Sequence, residues 1–202
     1  AQLILREVSN NTLSLDDPIS DYVDDITNGD TITIRDCLMM RAGIPEVQAI
    51  GMFAVLFALI PTWPSTLHDV WAIIKNQPAA FAPNTSFAYS NSNYMVLGQI
   101  LEAVRGESVI TTINDACTLL GLTDTYMPAD ETETGLREPH ADGYGGPLDD
   151  LLGQPGASVC TTFNPMWFNT YGGIISTASD LQKWAGHMRD GTLLSPTVHA
   201  QW

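Results

Sequence analysis

The segment Asn93–Arg105 constrains the fold more than any other stretch. Val96, Leu97, Ile100, Leu101 and Val104 recur at the spacing of one helix face, and Gly106 stands where a left-handed residue ends a helix. A helix with so apolar a face must bury it, and the sequence supplies candidates to cover it. Ala1–Val8 reads as the tail of a helix. Thr33 and Asp36 form a capping-box pair at the start of a helix running through Met40 and stopping near Gly43. Thr66 can cap a helix from Leu67 to about Asn76, and Ser108 one that reaches about Leu120. Ser176–Arg189 reads as a helix closed by Gly191, and Ser195-Pro196 opens a last one. Strand candidates are few: Phe87–Tyr89, Thr123–Met127 and Ile174–Ser176. Asp130–Pro155 is rich in turn residues, including Gly143, Gly145, Gly146 and Pro147. The expected fold is mainly α with short β hairpins. With 202 residues, 45% of them apolar and 15% charged, residues 1–202 can bury one core and are expected to form a single domain.

Charge removes several classes of function. Eight Lys and Arg stand against 23 Asp and Glu, a net charge of -15. Such a chain repels phosphate backbones and anionic membranes, so nucleic acid is not an expected partner. Val47–Ile60 is the longest apolar run, broken by Gln48 and Gly51, and it is shorter than the roughly 20 residues of a membrane-spanning helix. Its simple reading is a buried core helix; the alternative is a lid over an apolar pocket or a self-association surface. Cys37, Cys117 and Cys160 contain no C-x-x-C; one bridge could leave a free thiol, and buried apolar thiols are the plainer expectation. No H-E-x-x-H or phosphate-binding glycine loop is present, and Gly156-Ala157-Ser158 has Cys160 where G-x-S-x-G requires its second glycine. Asp21, Asp24 and Asp25 lack the alternating ligands of a calcium loop and read as a solvated acidic face, so no metal and no cofactor are expected.

The chemistry-bearing segment is Phe87-Ala88-Tyr89-Ser90-Asn91-Ser92-Asn93-Tyr94, where a tyrosine and an asparagine two apart precede the apolar helix. Such a loop can present both side chains to a pocket while the helix anchors it. A free phenol, with a pKa of about 10, is a poor base, but an ammonium beside it would make it a proton shuttle. An asparagine amide can hold a carbonyl or a lysine. Read alone, the same residues also fit a plain helix start, with Ser90 or Asn91 as the cap and Tyr89 packed.

Five blocks, in order, resemble the serine β-lactamase and penicillin-binding-protein superfamily in its class C-like branch of β-lactamases, DD-peptidases and esterases. They are Leu13–Asp21, Ile32–Pro45, Phe87–Gly106, Gly121–Met127 and Tyr171–Trp184, and they span nearly the whole chain. The resemblance implies the helical lobe of the α+β β-lactamase/transpeptidase-like fold, without the central sheet of the α/β lobe. It gives Tyr89 the place of the general base toward the nucleophile and acid toward the leaving group. Asn91 takes the place of the asparagine that contacts the substrate amide and the catalytic lysine. Gly172 and Gly173 match small residues near the pocket wall, and equally fit a turn or a close helix approach.

The family nucleophile and its lysine form Ser-x-x-Lys, but Ala72 precedes Lys75 by three and Asp180 precedes Lys183, the only two lysines. Lys-Thr-Gly and His-x-Gly are absent, and the usual His-x-Ser-Gly reads Met40-Arg41-Ala42-Gly43. The chain is therefore expected to be a fragment, the lobe between the first and third motifs, inactive by itself. The parent would be a serine hydrolase cleaving a small-molecule or peptide amide, lactam or ester through an acyl-enzyme, and extracytoplasmic by family resemblance. The alternative is a non-catalytic binding or self-association module on the same scaffold.

Overall fold

The computed structural model describes residues 1–63, 66–129, 133, 136–145 and 159–201. Pro64, Gly146, Pro147, Gly156-Ala157-Ser158 and Trp202 lie outside the described residues, as does most of the turn-rich stretch from Asp130 to Pro155.

The helix read from Asn93–Arg105 is α5, Ser92–Arg105, and Gly106 ends it at φ 66°. It is the central post of the molecule. Val96 and Ile100 are fully buried, Met95 and Leu97 almost so. Against it pack α1 (Gln2–Ser9), α2 (Ile34–Leu38), α6 (Val109–Leu119) and the short α7 (Asn169–Gly172). The contact between α5 and α7 is close enough to require Gly98, because a Cβ there would meet the Thr170 side chain at 2.5 Å. The Thr170 hydroxyl, donating to the Tyr94 carbonyl at 2.7 Å, fixes the same crossing.

Local signals explain the helix starts. Thr33 and Asp36 form the capping box of α2, and Thr66 and Asp69 form that of α4, Leu67–Ile74. Ser108 caps α6, Thr177 caps α8 (Ala178–Asp190) and Ser195 caps α9 (Pro196–His199). Gly191 closes α8 at φ 64°. Helix α2 stops at Leu38, short of the expected Met40, which instead takes a left-handed φ of 58°.

The apolar run becomes a 3₁₀ turn, Val47–Ala49, followed by α3, Gly51–Leu59. Phe53 and Phe57 face inward. The Phe53 ring meets Trp167 edge-on at 5.6 Å, and Phe57 meets Phe163 and Phe168 edge-on at 5.8 and 5.4 Å. These two phenylalanines therefore belong to the core and not to a lid. The opposite face is also apolar yet open, with Met52, Val55 and Leu59 at 64%, 56% and 66% exposure.

The expected hairpins do not form. Among the described residues, pairing is limited to isolated bridges, Pro18 with Thr33, Tyr126 with Ile175 and Tyr144 with Val159. Tyr126 and Ile175 exchange both backbone hydrogen bonds, at 2.9 and 2.8 Å. The ladder cannot lengthen at its next bonding positions, because the Asp124 N–H is given to Asp180 Oδ2 at 2.7 Å and Pro128 has no N–H. Met127, whose backbone groups face away from Ile175, exchanges both its backbone bonds with the Asn114 side chain at 2.8 and 2.9 Å. Phe87–Tyr89 pairs with nothing beyond one bond, Ala88 N–H to the Met40 carbonyl. β-propensity supplied candidates, and side-chain competition for backbone groups removed them. Cys37, Cys117 and Cys160 are all free thiols, the first two buried, and burial raises the Cys37 thiol well above its ordinary range.

Candidate active site

The site is built where two chain segments meet, the turn after α2 and the loop before α5. The loop from Ala80 to Ala88 is tied to Met40–Gly43 by three backbone bonds: Ala80 N–H to Gly43, Asn84 N–H to Arg41 and Ala88 N–H to Met40. The Arg41 guanidinium adds two bonds to Asn84, both at 2.7 Å. Gly43 is required here. Its φ is 76°, and a Cβ would run into the Phe81 carbonyl oxygen. This clamp delivers Tyr89 to the surface at 65% exposure, while Asn91, two residues on, is 8% exposed.

The two expected catalytic side chains are brought together. The Tyr89 hydroxyl donates to Asn91 Oδ1 at 2.8 Å. Asn91 occupies the N-cap position of α5 but makes no side-chain cap bond. Its carboxamide is engaged sideways, and Tyr89 is not packed, so the plain helix-start reading fails for both residues.

A third residue completes the cluster, and sequence reasoning missed it. Glu46, just before the 3₁₀ turn, accepts the Asn91 backbone N–H at 2.6 Å and the Asn91 Nδ2 at 3.1 Å. It also caps its own turn by accepting the Gln48 N–H at 3.0 Å. Next to it, the Ser92 hydroxyl donates to the Pro45 carbonyl at 2.6 Å. Because Glu46 lies 45 residues before Asn91, no local pattern announces the pair. The available signal was a lone acidic residue following a Gly-x-Pro turn in an otherwise uncharged stretch.

Two more phenols border the cluster. Burial raises the Tyr171 phenol above its ordinary range, and Glu46 and Tyr89 add to that rise against an opposing bond from Gln48. Burial also raises Tyr94, with Tyr89 contributing. Both therefore stay protonated at neutral pH. Gly172 and Gly173 follow Tyr171 at the end of α7. Gly172 is exposed and a Cβ there would touch the Phe168 side chain at 3.3 Å. Gly173 is buried, and a Cβ would meet the Asn169 carbonyl oxygen at 2.7 Å, so a close backbone approach requires it. An apolar cavity of about 290 Å³ opens elsewhere, bounded by α1, α5, α6 and α8; Tyr94 lines it, but Tyr89 and Asn91 do not. Among the described residues no group of His, Cys, Asp or Glu is arranged to hold a metal ion; Asp25 pairs with Lys75 at 3.1 Å.

Comparison with known proteins gives this geometry a context. A family model described as Beta-lactamase matches residues 1–201. The chain is 28% identical over 155 residues to unguisins hydrolase ungD of Aspergillus violaceofuscus, a match covering 75% of this chain and 26% of that protein. It is 28% identical over 205 residues to the putative penicillin-binding protein PbpX of Bacillus subtilis, covering 96% of this chain and 45% of that protein. The chain thus spans less than half the length of these two relatives. Among solved structures, a D-stereospecific amidohydrolase from Streptomyces sp. superposes with TM-score 0.87 at 23% identity, over 98% of this chain and 60% of that one. An octameric penicillin-binding protein homologue from Pyrococcus abyssi gives TM-score 0.76 at 26% identity, over 98% and 45%. These superpositions correct the fold class expected from sequence. The expected class is the helical lobe of this fold with its central sheet absent, whereas the solved structures matched have the full β-lactamase fold, of which this chain covers 60% and 45%.

Proposed function

Because the chain belongs to the beta-lactamase family, we propose that it is part of a serine hydrolase that cleaves amide bonds through an acyl-enzyme. The observation that carries this reading is the hydroxyl of the exposed Tyr89 side chain donating to the carboxamide of the buried Asn91 at 2.8 Å. The nucleophile of the scheme is a seryl oxygen, and no Ser-x-x-Lys occurs within residues 1–202. The 202 residues alone are therefore expected to transfer no acyl group. In the whole protein the serine oxygen attacks the carbonyl carbon, and its proton passes to the Tyr89 oxygen as the phenol's own proton moves to the departing amine nitrogen, so Tyr89 ends protonated. Water releases the acyl group by the reverse path. Asn91 Oδ1, already accepting from Tyr89, has a second lone pair free for a lysine ammonium or a substrate N–H. No step calls for a metal or an organic cofactor.

Amides are favoured over lactams or esters because of what the relatives are named for: a D-stereospecific amidohydrolase and a D-amino acid amidase. The substrate class we propose is an amide or peptide carrying a D-amino acid. By the same family habit the whole protein is proposed to work outside the cytoplasm. The test is intact-protein mass after treatment with a fluorophosphonate, on this chain and on a form extended at both ends to include Ser-x-x-Lys. An adduct on the extended form alone supports the reading, and its turnover of D- against L-amino acid amides then tests the substrate. An adduct on the 202-residue chain overturns the site assignment.

A second reading, self-association, has one specific observation behind it. The outer face of α3 exposes Met52, Val55 and Leu59, and no charged residue lies between Val47 and Trp63. On a chain of net charge -15, that face is where two copies could meet with the least repulsion. Light scattering over a dilution series tests it, and a monomer at every concentration refutes it.

A further inference from the structure

We propose that Glu46 is a positioning residue that fixes which way the Asn91 carboxamide faces and so keeps Tyr89 in place as a hydrogen-bond donor; the catalytic meaning of this rests on the acyl-transfer reading above. A carboxylate can only accept. The Glu46 oxygens receive the Asn91 backbone N–H at 2.6 Å and Asn91 Nδ2 at 3.1 Å. The NH₂ end of the carboxamide must therefore point at Glu46, which leaves the oxygen end for the Tyr89 hydroxyl at 2.8 Å. No other residue is bonded to the Asn91 side chain among the described residues. Remove the charge at position 46 and nothing dictates the orientation.

The bonding pattern also shows why a glutamine could not replace it. With its oxygen toward Asn91 Nδ2 and the Gln48 N–H, its NH₂ would oppose the Asn91 backbone N–H. With its oxygen toward the backbone N–H, its NH₂ would face Asn91 Nδ2, and the carboxamide would have to turn over. Asn91 would then present NH₂ to Tyr89, and the phenol would change from donor to acceptor. Glu46 therefore does more than cap the Val47–Ala49 turn, a duty that needs only the bond from the Gln48 N–H.

The experiment uses this chain with ring-labelled tyrosine and reads the phenol C–O stretching band by isotope-edited infrared spectroscopy, with the Tyr89→Phe protein subtracted to isolate Tyr89. Wild type should show a donor-only band. Glu46→Gln should shift it to an acceptor-type band, and Asn91→Ala should shift it to that of a water-exposed phenol. Glu46→Gln added to Asn91→Ala should cause no further shift. An unchanged band in Glu46→Gln overturns the proposal. An equal shift in the Asn91→Ala background also overturns it, because Glu46 would then act on Tyr89 directly. If Glu46→Gln does not fold, Asn91→Ala alone decides, since an unchanged Tyr89 band there breaks the relay. The readout needs no turnover, so a failed relay is distinguishable from a failed hydrolase assignment.

Discussion

Gly43 offers the sharpest test of how the site is held. Its φ of 76° and the Phe81 carbonyl oxygen in the path of a Cβ make two separate demands. A left-handed backbone costs a residue bearing a Cβ roughly 1–2 kcal/mol, and forcing a methyl into packed backbone adds roughly 1–3 kcal/mol. Gly43→Ala should therefore destabilise by about 2–5 kcal/mol. For a chain of this size each kcal/mol lowers Tm by roughly 2–4 °C, so a drop on the order of 10 °C is expected. Gly106→Ala is the internal control. Gly106 also has positive φ, 66°, but nothing lies within 4 Å of its would-be Cβ, so only the roughly 1–2 kcal/mol conformational cost applies. The assay is thermal and urea unfolding of both variants by circular dichroism. The clash pushes Phe81 outward, and Phe81 lies in the loop that Met40–Gly43 clamps ahead of Tyr89. Gly43→Ala should thus also move the Tyr89 C–O band, whereas Gly106→Ala should not. Equal Tm losses in the two variants would refute the clash, and an unmoved Tyr89 band would refute the coupling of the clamp to the site.

Phe57→Ala should cost about 3–5 kcal/mol in urea unfolding because it empties a site ringed by Phe53, Phe163, Trp167 and Phe168, whereas Leu59→Ser on the open face of the same helix should stay within about 0.5 kcal/mol. Asp180 is held below the ordinary carboxylate range, first by Lys183 at 2.6 Å and then by the Asp124 N–H and Thr125 hydroxyl. A lowered folded value means its stabilisation is complete above the unfolded pKa of about 3.9 and is lost as pH falls through the folded value. The Tm gap between wild type and Asp180→Asn should therefore be constant at neutral pH and close below about pH 4; a gap that persists in acid refutes the assignment. Gly98→Val should separate α5 from α7 and lower Tm, because even a Cβ would meet Thr170 at 2.5 Å; an unchanged Tm would show that Thr170 can give way.

Sequence by itself determined the helices whose ends are local chemistry. Thr33 with Asp36, Thr66 with Asp69, and Gly106 and Gly191 at helix ends are short-range signals, and each helix appeared within a few residues of where they put it. The Tyr89–Asn91 pair became a candidate through the family resemblance, because read alone the same residues also fit a plain helix start. The tertiary structure decided what those residues do. Asn91 looked like a helix cap, and only the approach of Glu46 across 45 residues turned its carboxamide toward Tyr89. The apolar α3 gave no sequence hint of which side faced the core, because a helix apolar all round carries no amphipathic signal. The Thr123–Met127 candidate failed on a contact equally invisible in the sequence, Asp180 taking the N–H of Asp124. Periodicity and caps are properties of neighbours along the chain, whereas orientation, burial side and ladder partners are set by groups that meet only after folding.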